Sequence, residues 1–161
     1  MKRYKGVLII LNLGILFVFF NFSVLQKETI IKEGQLVLLE LAPVDPRSLM
    51  QGDYMNLNYA ISMVSDFDQV PKRGYYVIKR RANAVADYVR IQGDRSPLHD
   101  DEILIEFTKS ERSIHIGAES FFFQEGHAER YEAAKYGGLK VDKEGNSVLV
   151  GLYDVHLKQI N

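Results

Sequence analysis

The chain has 161 residues, no cysteine and a formal net charge of −1, with 47% hydrophobic and 25% charged residues. This composition is ordinary for one compact domain with an appendage, and the lack of cysteine excludes disulfides, thiolate metal sites and a cysteine nucleophile. Three of the 20 Lys and Arg precede residue 6, so the rest of the chain carries 17 cations against 21 Asp and Glu. That balance argues against a nucleic-acid-binding domain.

The first predicted element is a transmembrane helix. The segment Val7–Leu25 is a run of 19 residues that only four non-apolar positions interrupt. At about 1.5 Å per residue it reaches about 28 Å, which matches the hydrocarbon core of a bilayer. The run is therefore long enough to cross a membrane once.

The charges beside this run predict its orientation. Lys2, Arg3 and Lys5 precede it, whereas Lys27 and Lys32 behind it both have glutamate neighbours. Because cationic flanks stay in the cytoplasm, we interpret residues 1–25 as a cytoplasmic tip and an uncleaved signal anchor. A cleaved signal peptide is the alternative, although the run is long for one and no small-x-small site follows it.

Residues 26–35 are short, mixed in charge and end beside Gly34, so we interpret them as a stalk that could continue the anchor helix. Residues 36–161 are then a β-rich domain outside the cytoplasm. Because the stalk is short, we expect this domain to lie close to the bilayer surface, within reach of membrane partners.

The domain begins with a strand, a rigid corner and a second strand. Residues 36–41 are predicted to form the first strand, which the prolines of Ala42-Pro43 and Asp45-Pro46 end. Gly52-Asp53 predicts a turn, and residues 54–61 then alternate as a second strand. Its apolar face would carry Met55, Leu57, Tyr59 and Ile61.

Polar side chains gather at this corner, and two interpretations stay open for them. In the structural one, Asp53 accepts hydrogen bonds from turn amides and Arg47 pairs with Asp45 or Asp53. In the functional one, Asp45, Arg47, Asp53 and Tyr54 face a ligand or partner, because charged loop groups at a sheet end often bind. For the other motif residues we expect structural roles. The backbone conformation of a turn accounts for Gly52, and packing into the core accounts for Leu57 and Tyr59.

The rest of the chain predicts short strands and one helix. The helix is expected over 127–136, where Ala and Glu are frequent, and Gly137-Gly138 is expected to stop it. The predicted strands are residues 74–80 and 85–91 as a hairpin, 103–108 with 114–116, 120–126, and 139–142 with 147–157 as a closing hairpin. This pattern predicts a mainly β fold: an N-terminal transmembrane helix followed by an antiparallel β-barrel or sandwich with one short helix.

The corner contains Gly52, Asp53, Tyr54, Leu57 and Tyr59 in the order Gly-Asp-Tyr-x-x-Leu-x-Tyr. With this motif the chain resembles the GDYXXLXY family of bacterial membrane-anchored proteins, whose activity is unassigned. The Phe121-Phe-Phe-Gln-Glu125-Gly126 stretch, followed by a short helix, two glycines and a hairpin, is similar to the C-terminal part of the same family. The resemblance implies an envelope protein of the bacterial cytoplasmic (inner) membrane, often encoded beside a polytopic membrane protein.

No catalytic or metal-binding pattern stands out in the sequence. There is no Gly-x-Ser-x-Gly elbow, no glycine-rich phosphate loop, and no two histidines lie three to five residues apart. Type I signal peptidases also have a strand that starts with Gly-Asp, but the position of their nucleophilic serine is Val44 here. We therefore predict neither a catalytic residue nor a metal site nor a cofactor, and a likeness to those enzymes would be one of fold only.

The leading functional hypothesis is an accessory protein whose β-domain binds an integral membrane protein through Asp45, Arg47, Asp53 and Tyr54, with Glu125 and Gly126 as further candidates. The alternative is an envelope hydrolase that uses Asp45 or Asp53 as acid or base. A third hypothesis is a spacer domain that associates through a strand edge. The sequence leaves the oligomeric state open.

Overall fold

The computed structural model describes residues 2–42, 54–63, 67–124 and 126–160. Within them the fold is mainly β behind a long N-terminal helix, as predicted. The helices are α1 (Lys2–Glu33) and α2 (Ala128–Tyr131), with 3-10 turns at Ala60–Ser62 and Phe67–Gln69. The strands are β1 (Gln35–Glu40), β2 (Tyr54–Asn56), β3 (Arg73–Arg80), β4 (Ala86–Gln92), β5 (Glu102–Lys109), β6 (Ile114–His115), β7 (Ser120–Phe122), β8 (Tyr136–Val141), β9 (Ser147–Tyr153) and β10 (Gln159–Ile160).

Helix α1 is one unbroken element of 32 residues. Its apolar part has a mean hydropathy of 2.5, and none of that part is buried against the rest of the chain. Among the described residues it is the one helix with the length and composition to cross a membrane. Residues 26–33, interpreted as a stalk, are the last two turns of this helix.

In the described parts of the chain the strands form three antiparallel sheets with the orders β1-β8-β9-β10, β4-β3-β5-β6 and β2-β7. Two single bridges join them: Leu38 pairs with Val85, and Leu41 pairs with Tyr59. Since β1 and the residue that follows it, Leu41, take part in these bridges, this segment holds the sheets around a common centre as a partial barrel.

One hydrophobic core fills that centre, and almost every strand contributes to it. The motif segment supplies Met55, Leu57 and Tyr59, whose side chains are at most 2% exposed. Opposite strands supply Val37, Leu39, Tyr76, Ile78, Ile105, Phe107, Leu139, Val141 and Leu152. The alternation predicted for residues 54–61 is therefore confirmed, because Asn56 and Asn58 between these positions are exposed. The regular strand itself ends at Asn56 and a 3-10 turn follows at Ala60.

Three predicted pairings are confirmed: the β3–β4 hairpin, the β5–β6 return and the β8–β9 closing hairpin. Two predicted strands are shorter than expected. The aromatic strand expected over 120–126 ends at Phe122, and the arm expected over 147–157 ends at Tyr153, with β10 after a turn.

The predicted helix over 127–136 is wrong in its extent. Helix α2 has four residues, and Tyr136, Gly137 and Gly138 begin strand β8 instead of stopping a helix. The physical reason is that β8 lies between β1 and β9 and hydrogen-bonds to both. The two glycines make room for aromatic rings, since a Cβ at Gly137 would lie 2.8 Å from the ring of Tyr59 and one at Gly138 would overlap the ring of Tyr153.

Candidate functional site

The polar corner proposed from the sequence falls largely outside the described residues. Asp45, Arg47, Gly52 and Asp53 lie outside them, as do Glu125 and the side chain of Tyr54. Partner binding or acid–base chemistry at these residues therefore stays a prediction. The remaining motif residues, Leu57 and Tyr59, and also Gly126 are among the described residues.

The two stretches that carry the family resemblance pair with each other. Strand β2 is antiparallel to β7, with Tyr54 opposite Phe122 and Met55 opposite Phe121. The contact continues past the strand, where the Leu57 amide donates to the Glu119 carbonyl oxygen over 2.6 Å. The motif and the aromatic stretch are thus one two-stranded unit, although more than 60 residues separate them in the chain.

Tyr59, the last motif residue, is 1% exposed. Its hydroxyl donates to the carbonyl oxygen of Ala118 over 2.6 Å. Burial raises the pKa of Tyr59 far above its ordinary value, and the negative charge of Glu119 adds to that increase. Tyr59 therefore stays a neutral hydrogen-bond donor, and with Leu57 it serves the core, as the structural interpretation expected.

An aromatic cluster stabilises the end of this unit. The Tyr131 ring centroid lies 5.0 Å from that of Phe121 and 5.5 Å from that of Phe123. Gly126 has a φ of +82°, a left-handed conformation that favours glycine. It turns the chain from the aromatic stretch into α2, so that Tyr131 folds back onto the two phenylalanines. Gly126 thus has a conformational role.

The junction between α1 and the β-domain is a second candidate region, which the sequence did not indicate. Ile30 of α1 is 3% exposed because it packs against the domain. The Gly34 amide donates to the Ile30 carbonyl oxygen over 2.9 Å, and Lys140 Nζ of β8 donates to the Gly34 carbonyl oxygen over 2.9 Å. A cationic side chain at a helix C-terminus satisfies carbonyl groups that have no partner within the helix. The helix end is therefore fixed to β8.

Beside this junction lies a groove of about 880 Å³ between α1, the start of β5 and the β8–β9 turn. We call it the junction groove. Its apolar lining is Phe22, Leu25, Ile30, Leu98, Ile103, Leu104 and Val141. Its polar lining includes Gln26, Thr29, Glu33, Lys143, Glu144 and Asn146. A cleft of this size with a largely apolar lining and a few polar groups has the character of a binding site.

The β8–β9 turn, which forms one wall, is held in place by hydrogen bonds. Asp142 Oδ1 accepts from the amides of Glu144 (3.0 Å) and Asn146 (2.8 Å). Gly145, with a φ of +93°, turns its carbonyl oxygen to the Glu106 amide of β5 over 2.8 Å. Because the turn is tied to β5, the groove is built into the fold.

Glu102 lies on another wall, and an arginine neutralises it. Its carboxylate accepts from Arg90 Nη1 over 2.7 Å and from Arg90 Nη2 over 2.9 Å. The Arg90 guanidinium lowers the pKa of Glu102 to about 2 despite its burial. A carboxylate with so low a pKa is a structural partner and is poorly suited to general acid–base chemistry at neutral pH.

One serine–histidine contact was missed by the sequence reasoning. Ser113 Oγ lies 2.8 Å from His115 Nε2 in the exposed β5–β6 turn, and Ser110 Oγ lies 3.4 Å from the same nitrogen. The two-residue spacing on an extended segment, which puts both side chains on one face, was the signal that could have found it. In the parts of the chain that the structure describes, no carboxylate binds the other ring nitrogen, and no group of three His, Asp or Glu could hold a metal ion.

Comparisons with known proteins place the chain in a family. No significant match was found among curated proteins or among solved structures. The family model described as GDYXXLXY protein matches residues 16–152, which include the second half of the apolar run of α1, both motif stretches, β8 and nearly all of β9. This match covers most of the chain, so the protein belongs to the GDYXXLXY family.

Proposed function

We propose that this protein is a single-pass membrane protein of the bacterial envelope whose β-domain lies outside the cytoplasm and binds an integral membrane protein. The observation that carries the proposal is the continuous junction: α1 runs from its exposed apolar part to the domain without a break. Ile30, Gly34 and Lys140 then hold the helix end against β8.

The short distance between the apolar part and the domain supports a role at the membrane surface. Leu25 ends the apolar run and Ile30 is already packed against the domain. Five residues of α-helix rise about 7.5 Å, which is about the depth of one headgroup layer. A domain held so close to a bilayer meets other membrane proteins first.

The orientation rests on the cations before the apolar run and can be tested directly. Because the chain has no cysteine, a single cysteine introduced at the exposed Glu111 would be the one thiol of the Glu111→Cys variant. A membrane-impermeant maleimide added to cells with a permeabilised outer layer should label this thiol without lysis of the cytoplasmic membrane. Labelling only after lysis would place the domain in the cytoplasm and contradict the proposal.

The partner is tested by purification of the tagged full-length chain from gently solubilised native membranes. We expect mass spectrometry to identify an integral membrane protein that is retained in stoichiometric amounts. The control is residues 1–33 fused to an unrelated soluble domain, which keeps α1 and removes the β-domain. If both proteins retain the same membrane protein in equal amounts, or neither retains one, the proposed function is wrong.

The motif corner can be tested in the same experiment. If Asp53 contributes to the partner surface, Asp53→Ala should reduce the retained partner while the thermal unfolding temperature of the chain is unchanged. An equal decrease of both would assign Asp53 to the turn.

A further inference from the structure

We propose that the junction groove receives the extracytoplasmic end of a transmembrane helix of the partner, and that this helix packs along one face of α1 within the membrane. The inference rests on the proposed function, since it specifies the surface that binds the integral membrane protein. Two features carry it: an apolar seam on α1, and the continuity of that seam with the groove.

The seam consists of side chains spaced alternately four and three residues apart. Its members are Leu11, Ile15, Val18, Phe22, Leu25 and Thr29. A mean spacing of 3.5 residues keeps one face of a helix against a second helix that crosses it at a shallow left-handed angle, the commonest arrangement in membrane bundles. The apolar members are 56–71% exposed in the isolated chain. The seam thus has the residue spacing of a helix–helix contact.

Gly14 deepens the seam. Together with Leu11, Ile15 and Val18 it outlines a concave apolar surface on α1. A Cβ at Gly14 would meet nothing within 4 Å in this chain. Packing against the domain therefore does not explain why this residue is a glycine. A glycine on a helix face in a membrane lets a second backbone approach closely.

The seam leads directly into the junction groove. Phe22, Leu25 and Thr29 belong to both, and the opposite wall of the groove is formed by Leu98, Ile103 and Val141 of the domain. A helix that follows the seam towards the C-terminal end of α1 therefore passes between α1 and the domain. From Leu11 to Leu25 the seam rises about 21 Å, so most of the contact would lie inside the bilayer.

The size of the groove fits a helix end. The groove has about 880 Å³, in the upper part of the range for binding clefts. A single acyl chain is much thinner than a helix, which is about 10 Å wide, and would leave more of the apolar lining in contact with water.

The charge of the rim favours a cationic helix end. Glu33 and Glu144 line the groove, and neither makes a salt bridge with another described residue. Arg95 interacts electrostatically with Glu144, but its guanidinium donates its hydrogen bond to the Tyr75 hydroxyl over 3.0 Å. Among the described residues that line the groove, Lys143 is the one cation. A partner helix with Lys or Arg at its extracytoplasmic end would complement this rim, whereas an anionic lipid headgroup would be repelled.

Site-specific photo-crosslinking in the full-length chain tests the proposal. A photoreactive phenylalanine derivative is introduced in place of Phe22, in the seam and groove, or of Thr29, in the groove. Phe20 is the matched control, because it is similarly exposed (62% against 67% for Phe22) and two residues of helix place it about 160° away. In native membranes we expect cross-links to an integral membrane protein from positions 22 and 29 and none from position 20.

A second measurement tests the energetics. Phe22→Ala should reduce the partner retained in purification about tenfold, a typical loss when an aromatic anchor of an interface is truncated, whereas Phe20→Ala should not. Both variants leave the core of the domain intact because neither side chain belongs to it.

The outcomes separate this inference from the proposed function. If a membrane protein co-purifies but cross-links equally to position 20, or only to the domain surface, the groove is not its site and the proposed function stands. Cross-links from position 22 to lipid, or to a second copy of the chain, would also overturn the inference. If no membrane protein is retained or cross-linked, both proposals are wrong.

Discussion

The ring of Tyr59 lies against the backbone of Gly137, so closely that a Cβ on Gly137 would be 2.8 Å from a ring carbon. Tyr59 closes the motif that names the family, and Gly137 lies in β8, nearly 80 residues further along the chain. The motif tyrosine thus requires a glycine in a strand that also holds the end of α1, through Lys140. The motif, β8 and the helix junction form one packed unit.

This contact predicts that Gly137→Ala destabilises the protein. The methyl group would displace the Tyr59 ring inside a filled core, and such overpacking costs about 1–3 kcal/mol. The measurement is the free energy of unfolding of the detergent-solubilised chain in urea. Gly93→Ala is the control, because a Cβ there meets nothing within 4 Å. Equal stability of the two variants would show that the ring can move aside.

The Tyr59 hydroxyl predicts a second loss of stability. Tyr59→Phe keeps the ring and removes the hydrogen bond to the Ala118 carbonyl oxygen, which leaves a buried acceptor without this donor. We expect a decrease of about 1–3 kcal/mol in the free energy of unfolding. Tyr88→Phe on the exposed surface of β4, where the side chain is 53% exposed, should have almost no effect. A neutral Tyr59→Phe would mean that another donor reaches Ala118.

The Arg90–Glu102 pair predicts a loss of stability in acid. The pKa of Glu102 in the folded chain is about 2, below its ordinary value of 4.5. A lowered folded pKa means that the unfolded chain binds the proton first, so the pair stabilises the fold above pH 4.5 and this contribution is lost as pH falls from 4.5 towards 2. The thermal unfolding temperature, measured between pH 6 and about 3, should change less with pH for Glu102→Gln than for the parent chain. Glu129→Gln on exposed α2 should retain the parent pH dependence, and a similar slope in all three proteins would contradict the assignment.

The hydrogen bond from Lys140 to Gly34 predicts how firmly α1 is held. Lys140→Met keeps most of the apolar stem and removes the donor at the helix C-terminus, at an expected cost of about 1 kcal/mol. Amide hydrogen exchange at Gly34, whose amide is bonded to the Ile30 carbonyl, should accelerate several-fold. Lys158→Met, an exposed change near the C-terminus, should leave this exchange unchanged. Unaltered exchange in Lys140→Met would show that the burial of Ile30 is sufficient to fix the helix.

Sequence reasoning was accurate where the information is local. The alternation of Met55, Leu57 and Tyr59 predicted which side chains are buried, because side chains on an extended segment alternate between two faces. The hairpins around residues 81–84 and 143–146 were predicted from short separations between β-rich runs, since such runs pair across tight turns.

It was wrong where a residue serves a distant partner. Gly137 and Gly138 were interpreted as a helix stop, which is their usual local meaning, whereas the rings of Tyr59 and Tyr153 require them in a strand. The junction groove was missed for the same reason, whereas the site proposed at the motif corner stays a prediction. Asp45, Arg47 and Asp53 stand out by residue type, but the junction groove combines residues of α1, β5 and the β8–β9 turn, which no spacing in the chain connects.

The sequence by itself determined the apolar helix, the mainly β character and the family of this protein, because length, alternation and motif are properties of neighbouring residues. The tertiary structure alone decided that the two motif stretches pair, that β8 fixes the end of α1, and that a groove opens beside that junction. Those features arise when segments far apart in the chain bury their apolar faces against each other. Their geometry depends on which segments meet, and the local pattern of a single segment does not specify that.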